Sequence, residues 1–309
     1  MNWPITVLLF LAAVALLAWL LRGDRQVRTT HIRLSVPRLP RPLEGYRIAF
    51  LSDLHLGMLY VRPGDLFEAL ETARPDLVLL GGDYASSRRR HADIAPFIRR
   101  LIGGRRTFAV LGNTDHHQQL DTTALDGALQ QSGGALLVNE RAAVQRDAAR
   151  VEVIGIDDPL HGDAAVETAG AFSPEADLRV AVVHSPAIWQ DLPRLAAHIT
   201  LCGHTHGGQV RPPGLEAPVT HSHYPRALAS GLFRLAGGER PSYMSVVGHW
   251  GVLGRNGRAL DVTADEGPLL YVSRGIGVGM IPIRFLCPPE LVVIEMRRSN
   301  GSESGASDG

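Results

Sequence analysis

RIAFLSDLH, residues 47–55, decides the fold. An aliphatic and aromatic run passes straight into Ser52, Asp53 and His55, the pattern of a strand buried on both faces that ends in polar groups. The same design recurs four times: residues 77–80 lead into Gly82-Asp83, 107–111 into Gly112-Asn113, 178–183 into His184, and 199–202 into Gly203-His204-Thr205-His206. Each run is short and bounded by Gly, Pro or Asp, so strands are expected over 47–52, 77–80, 107–111, 178–183 and 199–202. Open α/β sheets place their ligands just beyond the carboxyl ends of such strands. The polar residues fall where a site belongs.

Working outward, helix-like apolar spacing appears at 66–73, 91–102, 122–131 and 187–197, so strands alternate with helices from Tyr46 to about Met296. The chain has 309 residues, 45% apolar and 20% charged. That is enough for one good-sized core, and an α/β domain of about 250 residues is ordinary. The formal net charge is +0 with no long basic block, so nucleic acid is not an expected partner, and no obligate protein partner is evident. Cys202 and Cys287 cannot make a disulfide framework and fit a reducing compartment.

The N-terminus differs. Residues 5–21 are apolar apart from Thr6, with Trp3 and Trp19 near the two ends. This is about the shortest stretch that crosses a bilayer as a helix. No Lys or Arg precedes it, and the only Ala-x-Ala, at residues 13–15, lies mid-run, so a retained anchor is expected rather than a cleaved signal peptide. Arg22, Arg25 and Arg28 follow the span, which by the positive-inside rule places the large domain in the cytoplasm of a single-pass, bacterial-type inner-membrane protein. The expected organisation is an anchor over 1–21, a juxtamembrane linker and first edge strand over 22–45, a catalytic domain over 46–297, and a disordered tail over 298–309 rich in Ser, Gly, Asp and Glu.

Asp53, His55, Asp83, Asn113, His184, His204 and His206 together offer oxygen and neutral imidazole donors, the set that holds divalent ions able to activate water. One carboxylate can bridge two ions in such a centre, which is hydrolytic rather than redox equipment. The fragments and their order resemble the calcineurin-like metallophosphoesterases. GHTHGGQ at 203–209, and YVSRGIG at 271–277 followed by Pro282, Arg284, Phe285, Pro288, Pro289 and Glu290, resemble the membrane-associated branch that includes hydrolases of UDP-2,3-diacylglucosamine in lipid A assembly. That resemblance implies a four-layer α/β/β/α sandwich of two mixed sheets, preceded here by one transmembrane helix. It also implies two divalent ions, Mn, Mg, Fe or Zn, one held by Asp53, His55, Asp83 and His206, the other by Asp83, Asn113, His184 and His204, with Asp83 bridging.

Two departures follow. The family has Gly-Asn-His and an acid, whereas this chain reads Gly112-Asn113-Thr114-Asp115, so the histidine that assists the leaving group is absent. His116 and His117 follow at once and are the candidates to replace it in catalysis beside Asp83 and Asn113. An alkoxide leaving group needs a proton, while a phosphate with a second pKa of about 6 departs as an anion, so Thr114 tilts the expectation toward pyrophosphate bonds. Purple acid phosphatases carry a tyrosine three residues after the bridging aspartate, but Tyr84 adjoins Asp83 and Ser86 holds that position, which argues against a tyrosinate-ligated ferric site.

Thr114, Arg274 and Arg284 are candidate substrate contacts, the arginines by bidentate pairing with phosphate, or else as structural ion pairs. His221, His223 and Tyr224 can line a pocket or cover a sheet edge. Met280, Ile281, Ile283 and Phe285 can receive an acyl chain, with core packing as the default. The expected activity is metal-dependent hydrolysis of a phosphorylated lipid or nucleotide-lipid such as UDP-2,3-diacylglucosamine at the membrane. The alternatives are a broad phosphodiesterase or protein phosphatase, and a catalytically weak metal-binding scaffold.

Overall fold

Alternation along the strands sets the layers. The computed structural model describes residues 3–21, 25–169, 171–211, 217, 226–235, 243–245, 259–264 and 267–299. Its strands are β1 (Arg28–Val36), β2 (Arg47–Leu51), β3 (Leu77–Leu80), β4 (Thr107–Ala109), β5 (Ala135–Leu136), β6 (Glu140–Arg146), β7 (Ala149–Ile156), β8 (Leu178–Val183), β9 (Ile199–Cys202), β10 (Gly231–Leu235), β11 (Tyr243–Ser245), β12 (Leu260–Thr263), β13 (Leu269–Val272) and β14 (Glu290–Arg298). They form two mixed sheets, in the orders β12-β1-β14-β2-β3-β4-β5 and β11-β10-β13-β9-β8-β7-β6.

Ile48, Phe50 and Leu79 of the first sheet meet Val153, Val180 and Leu201 of the second in a single core between them. Their strand neighbours Ala49, Leu51 and Leu80 point the other way, onto the helices α2 (Pro63–Ala73), α3 (His91–Ile102) and α5 (Thr123–Gln130), met in chain order around the short α4 (Asn113–His117). On the far face, Ala181 and Val183 pack with Ile188, Leu192 and Leu195. β3 and β9 are buried at all four positions, as their uninterrupted apolar runs predict.

Two expectations change. The first strand, expected at an edge, lies inside the sheet, parallel to β12 on one side and to β14 on the other. Its partners come from the far end of the chain, so no local pattern reveals them. The helix expected over 187–197 is a 3₁₀ segment, Pro186–Asp191, followed by a single turn after the small α6 (Val166–Ala169), namely α7 (Leu192–Leu195). Pro186 and Pro193 each restart the chain by removing an amide donor, and Ala196 at φ 49° ends it. At the N-terminus α1 (Trp3–Leu21) is helical over 19 residues. Among the described residues, however, no helix is long and apolar enough to cross a membrane; the side chains at 13 and 16–21 of α1 lie outside that description.

Candidate metal centre

The carboxyl ends of both sheets converge. β2 delivers Asp53 and His55, β3 Asp83, β4 leads to Asn113 at the start of α4, β8 delivers His184, and β9 His204 and His206. Five of these seven sit at positive φ: Asp53 (55°), His55 (45°), Asp83 (57°), His204 (70°) and His206 (50°). Left-handed backbone is costly for residues with a Cβ, of order 1–3 kcal/mol each, and such strain clusters at functional sites. Close approach requires the glycines between them. A Cβ on Gly203 would lie 1.7 Å from Ser52 Oγ, and one on Gly112 would lie 2.3 Å from Asp83 Oδ1.

The donor atoms face one another. His55 Nε2 and His206 Nε2 are 3.2 Å apart, and Asp53, His55 and His206 converge as one group while Asp53, Asp83 and His184 converge as another. Asp83 Oδ2 lies 3.3 Å from His55 Nε2 and 3.5 Å from His184 Nε2, which puts it between the two sets of imidazoles. Asn113 Oδ1 lies 3.0 Å from His184 Nε2 and 2.7 Å from His204 Nδ1. All four imidazoles and both carboxylates are buried.

Electrostatics explain why this arrangement suits cations. Burial lowers the proton affinity of His206, reinforced by His55 and Arg284, and holds it well below the usual imidazole range. Burial also disfavours a charged His55, but its bond to Asp83 and the charge of Asp53 outweigh that and lift it. His55 Nε2 and His206 Nε2 meet 3.2 Å apart, where two facing lone pairs repel unless a proton or a cation lies between them. A divalent ion fills the same role with more charge, and the mixed Asp, Asn and His donors leave the choice of metal open.

Hydrogen bonds around the donors fix their aim. His184 Nδ1 lies 2.6 Å from the Gly81 carbonyl, which leaves Nε2 as the donor atom facing the centre. Ser52 Oγ donates to Asp53 Oδ2 at 2.6 Å. Thr114, expected to touch substrate, instead donates twice to Asp83, from its amide to Oδ1 and from its hydroxyl to Oδ2, both at 2.8 Å. Asp115 is buried and accepts from the amides of Asp83, Tyr84 and Gly112, tying the β3 and β4 loops together. Burial and the neighbouring Asp83 push its carboxyl up to about 6.

Both arginines already have partners within the chain. Arg284 has 0% exposure, and its guanidinium donates to the carbonyls of Gly277, Arg274, Cys287 and His206. It is a clasp under the site, closed to a phosphate. Arg274 pairs with Glu290 at 3.0 Å and donates to the Pro288 carbonyl. The structure separates the two candidate histidines: His116 Nε2 lies 2.5 Å from Asp157 Oδ1, whereas His117 is exposed. His221, His223 and Tyr224 lie outside the described residues. Tyr84 donates to the Val110 carbonyl at 2.7 Å, turned into the core, in keeping with a site that lacks a tyrosinate ligand.

Residues 46–208 match the sequence model of the calcineurin-like phosphoesterase family. The chain belongs to this family. Calcineurin-like phosphoesterases use a binuclear divalent metal centre, and this chain is a metal-dependent phosphoesterase whose candidate ligands include Asp53, His55, Asp83 and His184. It is 24% identical to the uncharacterized metallophosphoesterase YkuE of Bacillus subtilis over 89% of this chain and 87% of that protein. It is 27% identical to the phosphodiesterase YaeI of Escherichia coli over 81% of this chain and 82% of that one. A transmembrane protein with a metallophosphoesterase domain from Danio rerio is 26% identical over 94% of this chain and 62% of its own length. For a calcineurin-like phosphoesterase, the residue missed in the sequence is Asp157. It ends β7 as His184 ends β8, and Ile156 pairs with Val183, so the rule that found the other strand-end residues would have found it.

Proposed function

We propose that the chain is a membrane-anchored two-metal hydrolase of a lipid-linked pyrophosphate or phosphodiester, such as UDP-2,3-diacylglucosamine, acting at the cytoplasmic face. The observation that carries the reading is the convergence of seven donors, six of them buried, at the joined ends of the two sheets. Support for the membrane comes from α1, whose Trp3, Leu8, Leu9 and Phe10 are 65–75% exposed, and from the arginines that follow it.

Asp53, His55, Asp83 and His206 would hold one ion, and Asp83, Asn113, His184 and His204 the other. When bound, the ions supply Lewis-acid polarisation of the phosphoryl oxygens and acidify the attacking water. The chain's own residues do the rest. Asp83, pinned by both donors of Thr114, keeps the two halves in register. His116 sits three residues beyond Asn113 on the same helical face, and Asp157 fixes its Nε2 beside the strand that delivers His184. As water attacks phosphorus and the bond to the leaving oxygen breaks, the other ring nitrogen, Nδ1, gives that oxygen its proton. A pyrophosphate leaving group requires less of this help than an alkoxide.

The test is incubation of the purified chain with Mn²⁺ and a panel of UDP-diacylglucosamine, nucleotide diesters and phosphopeptides, with products read by mass. The reading expects release of UMP, and loss of about 10²–10⁴-fold on simple diesters in His116→Ala with little change in His117→Ala. Equal turnover of alkyl diesters and UDP-linked pyrophosphates would favour a broad phosphodiesterase instead, the reading that YaeI's name suggests.

A further inference from the structure

Beside His206 the chain turns through a knuckle, residues 279–283, that presents Met280 and Ile281 to water at 83% and 52% exposure. These two side chains, read from sequence as core or acyl contacts, are the most exposed large apolar pair outside α1 among the described residues. The knuckle is not loose. The buried Gln209, three residues after His206, donates from Nε2 to the carbonyls of Ile281 and Ile283 at 2.5 and 3.0 Å and accepts the Gly279 amide at 2.6 Å. A Cβ on Gly279 would lie 3.4 Å from His206 Nε2, so the knuckle borders the metal centre itself.

Its other flank meets residues 58 and 59. Gly277 bridges Leu59, and the Val278 amide donates to the Met58 carbonyl. Leu59 is shared by two clefts. One, of about 560 Å³, is lined by Leu56, Phe67 and Phe97 with Arg90 and Arg100 at its rim. The other is lined by Tyr60, Arg62 and Arg25, and the Arg25 guanidinium stacks 5.5 Å over the Tyr60 ring. Arg25 lies four residues past the end of α1. Residues 58–60 therefore touch the knuckle segment on one side and Arg25 on the other. Arg25, Arg62, Arg90 and Arg100 are all exposed on this side, against Asp65 and Asp93 from the same clefts.

We propose that the Met280–Ile281 knuckle is an interfacial docking element that seats the mouth of the metal centre on an anionic lipid bilayer. Apolar side chains enter the headgroup boundary while flanking arginines meet lipid phosphates, the combination by which peripheral surfaces bind membranes. The inference rests on the membrane reading above and adds to it which face of the domain meets the lipid. It also accounts for an apolar knuckle held rigidly where burial in the core was the default.

The experiment uses the full chain in phosphatidylcholine vesicles containing phosphatidylglycerol, with an environment-sensitive NBD label at Met280→Cys or Ile281→Cys. Cys202 and Cys287 are buried, so labelling is confined to the new thiol. Ala148→Cys, exposed in the β6–β7 turn at the opposite end of the strands, is the control. The proposal expects a several-fold rise in emission and quenching by doxyl-lipids at 280 and 281, with no change at 148. Water-like emission at 280 and 281 in a chain that floats with the vesicles overturns the docking face and leaves the anchor standing. A chain that fails to float overturns both.

Discussion

Replacing Arg284 with methionine tests whether this guanidinium is a scaffold or a phosphate ligand. Its two shortest bonds go to the Gly277 and Arg274 carbonyls, at 2.5 and 2.7 Å. Leaving a buried acceptor unpaired costs about 1–3 kcal/mol, so the two together cost about 2–6 kcal/mol. Burial also lowers the guanidinium's own proton affinity, so removing the charge returns part of that, and we expect a net loss of about 2–4 kcal/mol. For a domain of this size each kcal/mol moves Tm by about 2–4 °C, which gives a fall of about 5–15 °C. The assay is thermal denaturation together with kcat and KM on bis(p-nitrophenyl) phosphate well below both transitions. An unchanged Tm with a large rise in KM would refute the reasoning and restore Arg284 to the substrate.

Thr114→Val keeps the side chain's shape but removes the hydroxyl that donates to Asp83 Oδ2. Loss of such an orienting partner should weaken Mn²⁺ binding by about 10–100-fold in a competition titration, and an unaltered Kd would show that Thr114 does not position Asp83. His198 supplies a pH dependence: burial, then Arg179, pushes its pKa down to about 4 from 6.5, and its Nδ1 accepts the Arg179 amide. The unfolded imidazole binds the additional proton between those values, so the stabilisation is complete above pH 6.5 and drains away as pH falls toward 4. The loss reaches at most roughly 3 kcal/mol. Urea unfolding should find that His198→Asn, which retains an acceptor, flattens this slope; identical slopes in both proteins would count against it.

Legibility followed the range of the interactions. β3, β8 and β9 and the helix over 91–102 coincide with the pattern in the sequence, because two-sided burial and 3.6-residue spacing are written within each segment. The seven polar residues at strand ends were legible for the same reason, since the end of a buried strand is where a polar residue needs a partner. What failed was long-range. The place of β1 depends on β12 and β14, more than 200 residues away. Arg284 and Arg274 read in the sequence as phosphate contacts or structural ion pairs, and the choice rests on backbone carbonyls and Glu290 brought in by folding. Asp157 meets His116 across 41 residues, a contact no local pattern contains. Proline explains the broken helix after residue 186, a local signal that apolar spacing had masked.

The central claim is that one buried donor set holds two ions through a shared Asp83. Metal analysis by mass spectrometry of the full chain after loading with Mn²⁺ and desalting tests it most directly, alongside Asp83→Ala and His206→Ala. The account predicts two ions per chain in the wild type, one in His206→Ala, and fewer than one in Asp83→Ala. A wild type that retains a single ion, or an Asp83→Ala chain that still retains two, would contradict it.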